Sequence, residues 1–234
     1  MQKQEINRWD SAPHLEFSEK YDSVQALRYF EKHRKGLGRR LSNWWETVIL
    51  RKALKWAGHP GTLLDLPAGT GRFWEILARY PDREIYAADY SYDMMKVGLD
   101  LRPGYITRRI IPIRCSAFSI PLVDGAVETV FCVRLMHHIG KKSDRRALLR
   151  EMARVASRSI CISVWIDGNY KAWRRGRLEA RRKSKRYQNR FVVKKQVIEE
   201  DFRWAGLELI RRIDFIKFYS MWSVYVLRKA TRQS

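Results

Sequence analysis

Two glycines and one aspartate define the chemistry this chain is equipped for. Gly69 and Gly71 stand in the run Gly61-Thr62-Leu63-Leu64-Asp65-Leu66-Pro67-Ala68-Gly69-Thr70-Gly71-Arg72-Phe73. Without a Cβ, they let a ligand lie against the backbone. The residues before them form a short apolar run, as in a buried parallel strand, and the pattern predicts a helix starting near Gly71. A strand, a glycine turn and a helix N-terminus together make an anion-friendly site of the nucleotide-binding kind. Asp89 closes a second strand-like run, Ile85-Tyr86-Ala87-Ala88. Its carboxylate can accept hydrogen bonds from a pair of hydroxyls, such as those of a ribose. The alternative is that it caps the following helix.

The dinucleotide fingerprint G-x-G-x-x-G needs a third glycine for close helix–strand packing. Trp74 occupies that position here. The pattern is instead Asp65-x-Pro67-x-Gly69-x-Gly71, which resembles motif I of the class I S-adenosylmethionine (SAM)-dependent methyltransferases, within their type 11, small-molecule-like group. The resemblance implies that Asp65, Pro67, Ala68, Gly69, Thr70 and Gly71 hold the cofactor, that Asp89 and Tyr90 meet its ribose, and that Met94 or Met95 reaches its adenine. Residues 115–127 resemble the family's adenine-side segment, with Ser116, Ala117 and Phe118 as contacts. Ser116 replaces an acid common there, and Glu128 stands where the family usually has Asp. Val133-Arg134-Leu135-Met136-His137-His138 resembles motif IV, whose strand end faces the transferred methyl. Val133 is then a cofactor contact, and Arg134 and His137 are the catalytic candidates, to bind or deprotonate an acceptor. His138 is expected to be structural.

These residues need a scaffold, and hydrophobic periodicity supplies one. Strands are predicted over residues 62–66, 84–88, 110–115, 127–133 and 159–165, with helices at 71–80, 92–101 and 143–156 between them. Ser91 is a reasonable N-cap for the second helix. A short helix over 197–205 precedes two strands, 207–215 and 222–227. The alternation argues for a parallel sheet with helices on both faces. The expected fold is Rossmann-like α/β, seven-stranded and mostly parallel, ending in the antiparallel hairpin of the methyltransferase sheet. The chain reads as one domain over 1–234. Residues 1–58 form an N-terminal helical cap, with helices at 22–35 and 39–57, and 59–165 the SAM-binding core. Residues 166–195 are a basic insertion, and 196–234 the last helix and hairpin. Trp9, Leu15 and Phe17 are candidate anchors for the polar N-terminus.

Composition points to an anionic partner. With 47 Lys and Arg against 25 Asp and Glu, the net charge is +22. Residues 171–195 alone hold twelve basic residues and one acid, Glu179, a surplus of eleven that is half of the total. In a helix, Arg174, Arg177, Arg181 and Lys185 would share a face. Apolar residues there are few (Trp173, Leu178, Tyr187), which makes it a poor membrane-inserting helix. Anionic lipid, RNA or solvent remain as its counterparts. No apolar run spans a membrane or forms a signal peptide. Cys115, Cys132 and Cys161 lie in strand-like runs without C-x-x-C spacing, as buried thiols of a reducing compartment. No metal site is expected. The expectation is a cytoplasmic enzyme, peripheral at the inner face of the membrane, that methylates an anionic small-molecule or lipid-linked acceptor. Alternatives are an RNA methyltransferase and a non-catalytic SAM- or NAD-binding Rossmann protein. The sequence leaves the oligomeric state open.

Overall fold

The computed structural model describes residues 23–32, 37–181 and 190–230. The candidate anchors Trp9, Leu15 and Phe17, and Lys185 and Tyr187 of the basic run, lie outside them.

Seven strands form one sheet: β1 (Thr62–Asp65), β2 (Glu84–Asp89), β3 (Ile110–Arg114), β4 (Val127–Cys132), β5 (Ala156–Trp165), β6 (Leu207–Asp214) and β7 (Trp222–Lys229). Their order is β3-β2-β1-β4-β5-β7-β6. The first five run parallel, and β7 is antiparallel to both β5 and β6. This is the expected sheet with its C-terminal hairpin. β1, β4 and β5 are almost continuously buried because helices cover both faces. The order reverses between β1 and β4, which opens a crevice beyond their carboxyl ends.

Helices α1 (Ser23–Lys32) and α2 (Leu37–Trp56) precede the sheet. In α2, Glu46, Ile49, Leu50 and Ala53 are all buried, at the i, i+3, i+4, i+7 spacing of one helix face. Along the sheet come α3 (Trp74–Leu77), α4 (Tyr92–Leu101), α5 (Gly104–Thr107), α6 (Lys142–Val155), α7 (Tyr170–Ala180) and α8 (Lys195–Trp204). α4 has the predicted limits, and the Ser91 side chain accepts from Met94 N–H as its N-cap. Buried side chains on the two faces form separate clusters, one around α6 and α8 and the other around α2 and Trp74.

The helix expected at 71–80 is different. α3 has only four residues and starts at Trp74. Gly71, at φ +68°, cannot continue a right-handed helix, and its N–H is spent on Ala68 O at 3.0 Å. No long helix therefore starts at the turn to aim its dipole across it.

Candidate active site

Trp74 explains the missing third glycine. Its indole is fully buried and folds back beneath the turn, where Nε1 donates to Asp65 Oδ2 at 3.1 Å. A Cβ on Gly71 would stand 2.4 Å from the Trp74 ring. Gly71 is thus required twice, by its φ and by the ring below it. Asp65 is 2% exposed, and burial holds its carboxyl well above the usual carboxylate range. Its observed partner is the tryptophan, so Asp65 supports the turn from below.

Asp89 reaches the turn from the next strand. Its Oδ2 accepts from Gly69 N–H at 2.8 Å, and its Oδ1 from Ser91 N–H at 2.9 Å. Ala68 N–H pairs with Ala88 O at 2.9 Å, so the turn is laced to the end of β2. Burial lifts the Asp89 carboxyl to about 6, against the opposing pull of backbone N–H groups from Ser91, Gly69 and Tyr90. Each oxygen keeps lone-pair capacity for a further donor. Ser91, and not Asp89, caps α4.

The adenine-side candidates follow β3. Cys115 N–H bonds Asp89 O at 3.1 Å, which brings residues 115–119 beside the end of β2. Ser116 is buried, and its hydroxyl accepts from Phe118 N–H at 3.3 Å. Ala117 and Phe118 are half-buried against the core. Of the two methionines, Met94 is the one at the turn, with its Cε 3.7 Å from where a Cβ on Gly69 would stand. Met95 is buried in the core with Trp74. Glu128 is remote from the crevice. It lies at the amino end of β4, where it meets Gly61 N–H and Arg158.

The chain after β4 lies at the carboxyl end of the sheet, beside the glycine turn. Val133 is buried, and Arg134 has φ +71°, with its N–H on Ser163 Oγ at 2.8 Å. This left-handed residue turns the Arg134 side chain onto Glu46 of α2, where Nε and Nη2 meet the two carboxylate oxygens at 3.0 and 2.9 Å. Arg72, just past the glycine turn, binds the same carboxylate and also Asn43 Oδ1 at 2.7 Å. Glu46 thus ties the cap helix to both strand ends. Sequence reasoning missed it. An acid at the head of a buried helical stripe was the available signal.

His137 sits in a 3-10 turn (Met136–His138), stacked on Trp165 with ring centroids 4.5 Å apart and an interplanar angle of 10°. It is 5% exposed, and its Nδ1 finds no hydrogen-bond partner among the described residues. Burial, then the positive charges of Arg190, Arg134 and Arg175 and the neighbouring His138, push its pKa down to about 2. His137 is therefore neutral and weakly basic. Arg175 of α7 and Arg190 both lie over the Trp165 ring, at 5.3 and 5.9 Å. Phe191 N–H donates to His137 O at 2.7 Å, and Val193 N–H to Trp165 O at 2.9 Å. The returning end of the basic segment is thereby stitched across β4 and β5.

The cysteines are buried, with their thiols raised by burial, and take no part in the crevice. Among the described residues no three His, Cys, Asp or Glu side chains converge on a metal position.

The 3-2-1-4-5-7-6 sheet, with its glycine turn after β1 and an acid closing β2, defines the class I SAM-dependent methyltransferase fold. Residues 64–159 match the family model described as "Methyltransferase domain", which makes this part of the chain a methyltransferase domain. Solved structures agree on the fold. Magnesium protoporphyrin IX methyltransferase from Synechocystis PCC 6803, solved with S-adenosylhomocysteine (SAH), superposes with a TM-score of 0.73 at 14% identity, covering 92% of this chain and 98% of that one. The [4+2]-cyclase SpnF gives 0.66 at 14% identity, covering 94% and 97%. Human N-acetylserotonin methyltransferase with SAM gives 0.63 at 13% identity, covering 90% and 57%. No curated protein sequence matches the chain significantly.

The crevice residues suit S-adenosylmethionine, the cofactor of this fold class. At the left-handed Gly69 the missing Cβ leaves the backbone open, with Met94 Cε at 3.7 Å the nearest atom, and the buried Asp89 carboxylate stands on that turn.

Proposed function

We propose that the chain methylates an anionic oxygen, such as a carboxylate, on a small or lipid-linked acceptor. When bound, the cofactor supplies a methyl group already activated on a sulfonium, so the protein's contribution is largely positioning. In this reading the Ala68–Gly71 backbone holds the amino-acid tail, with Pro67 and Thr70 shaping the turn. Asp89 and Tyr90 hold the ribose, and Met94 and Ser116 to Phe118 line the adenine. Val133 and Arg134 face the methyl.

The observation that carries the proposal is the side-chain set on the acceptor side. Arg134, Arg175 and Arg190 converge on a histidine that stays neutral at any physiological pH. Cations favour an anionic acceptor. A histidine with a pKa near 2 makes a poor general base. An acceptor that is already ionised needs none. His137 then serves as a flat, neutral hydrogen-bonding wall beside Trp165.

Calorimetry with SAM, SAH and NAD tests the cofactor half. SAM and SAH should bind and NAD should not; the reverse would refute the reading. For the acceptor half, methyl-labelled SAM is incubated with cell extracts. Label released as methanol by mild alkali supports a carboxyl ester, and alkali-stable label in the RNA fraction would transfer the assignment to an RNA methyltransferase.

A further inference from the structure

Helix α7 presents two unlike faces. Ala172, Arg175 and Glu179 are half-buried toward the body, with Arg175 paired to Glu179 at 2.7 Å. The opposite arc carries Tyr170, Trp173, Arg174, Arg177 and Leu178, all exposed. By itself this face is too poor in apolar residues to engage a bilayer, as its sequence suggests.

The fold supplies what the helix lacks. The turn between β6 and β7 runs along the start of α7, with Tyr170 N–H on Phe218 O at 2.9 Å and Lys171 N–H on Tyr219 O at 3.0 Å. Tyr170 stacks on Tyr219, with ring centroids 5.8 Å apart and 9° between planes. Phe218 is held at φ +60° and is 74% exposed, and Ile216 beside it is also exposed. Cationic heads lie over these rings: Lys217 over Phe218 and Lys171 over Tyr219, both at 4.9 Å, and Arg177 over Trp173 at 5.0 Å. The single acid of α7 faces inward, and residues 215–221 contain none.

Trp165 pairs with Trp222, which places the β6–β7 turn at the carboxyl end of β5. That is the edge holding the glycine turn, Arg134 and His137. The surface is therefore a rim of the acceptor crevice. Its mixture of protruding rings, aliphatic tips and basic heads suits the interfacial zone of a bilayer, where aromatic bodies sit among headgroups and cations meet anionic lipid. RNA would use rings as stacking platforms, but Ile216 and Leu178 offer no platform, and the rings of Phe218, Tyr219 and Trp173 carry the protein's own cations.

We propose that α7 and the β6–β7 turn dock the enzyme on an anionic phospholipid surface, with the acceptor crevice facing the headgroups. This rests on the anionic-acceptor reading only for its purpose; the binding itself can be measured without turnover. Flotation of the full chain with vesicles of phosphatidylcholine, alone or with about a third phosphatidylglycerol, should show binding to the second kind only. Raised salt should weaken that binding. Arg174→Ala with Arg177→Ala should reduce it on the order of 25-fold, at about five-fold per basic residue near the surface. Phe218→Ser, on an exposed turn, should reduce the salt-resistant part and leave SAM affinity unchanged. The docking proposal fails if these variants bind vesicles like the wild type. It also fails if the chain ignores anionic vesicles and binds an RNA oligonucleotide with a steep salt slope. A wild type that floats with vesicles but does not bind SAM would refute the methyltransferase reading and leave the docking surface standing.

Discussion

Replacing Asp89 by asparagine separates its charge from its shape, and the structure fixes what should follow. The carboxylate accepts from Gly69 and Ser91 N–H groups, one on each oxygen, in a nearly buried position. An asparagine amide keeps one acceptor and turns its NH2 toward the other donor. Burial has raised the Asp89 carboxyl to about 6, above the ~3.9 of an unfolded aspartate. The folded protein therefore holds this proton more tightly than the unfolded chain, and the group's contribution to stability declines as pH rises from about 4 through 6. Cofactor binding should move the opposite way, because the ribose hydroxyls donate best to the ionised form. At pH 5 about one carboxyl in eleven is ionised, so the Kd for SAM should rise about ten-fold over its value at pH 7.5, or roughly 1.4 kcal/mol. Asp89→Asn should bind SAM about 1–3 kcal/mol more weakly at pH 7.5, with little change between pH 5 and 7.5. Calorimetric titrations across that range, with a denaturation curve at each pH, make the comparison. Wild-type affinity in the asparagine variant, or an equal pH dependence in both proteins, would refute the assignment of Asp89 to the cofactor.

Four other substitutions test the supports of the crevice. Trp74→Phe keeps a ring below the turn but strips Asp65 of its indole donor, so urea denaturation should show a loss of about 1–3 kcal/mol. Gly71→Ala should destabilise more than Gly69→Ala in thermal melts: both incur the left-handed cost of about 1–2 kcal/mol, but only position 71 drives a Cβ to 2.4 Å from Trp74, whereas the nearest neighbour at 69 is 3.7 Å away. Glu46→Gln leaves Arg72 and Arg134 facing each other without a carboxylate and should cost about 1–3 kcal/mol; since Glu46 is buried, the loss should persist in high salt, and a loss erased by salt would show the contact to be a surface ion pair.

The residues assigned to the cofactor could be picked out because they are local in sequence. Residues 62 to 133 carry the glycine turn, Asp89, Ser116 and Val133, and the strand and helix periodicities around them are unambiguous. α4 falls where its pattern and Ser91 placed it. The failure beside it is instructive. Residues 71–80 have adequate helical spacing, yet α3 shrinks to four residues. The indole of Trp74 bonds a carboxylate on the preceding strand, and Gly71 must be left-handed to clear the ring. A tertiary bond and a steric demand override propensity there, and neither is visible in a window of neighbours. α7 is the converse case. Its charge density was plain, but its role depends on the β6–β7 turn, some forty residues further along the chain.

The acceptor half could not be read in the same way. Arg134 and His137 stand together in the stretch after β4, but Glu46, Arg72, Arg175 and Arg190 share no spacing with them, and each of these four has an ordinary local explanation as a solvated or structural residue. Only the strand order makes them neighbours. Placing β4 beside β1 brings Arg134 to the glycine turn, and placing β7 beside β5 folds the β6–β7 turn against α7. The residues assigned to the cofactor follow β1 to β4 in turn, within residues 62 to 133, so they are tied in sequence. The proposed acceptor site uses the rim, where the cap helix, the chain after β4 and the segment after β5 meet. The two sets are therefore free to change independently. A chain with this turn and Asp89, but without the arginines around His137, should keep SAM affinity and lose its anionic acceptor, and that separation is what the charge on the rim predicts.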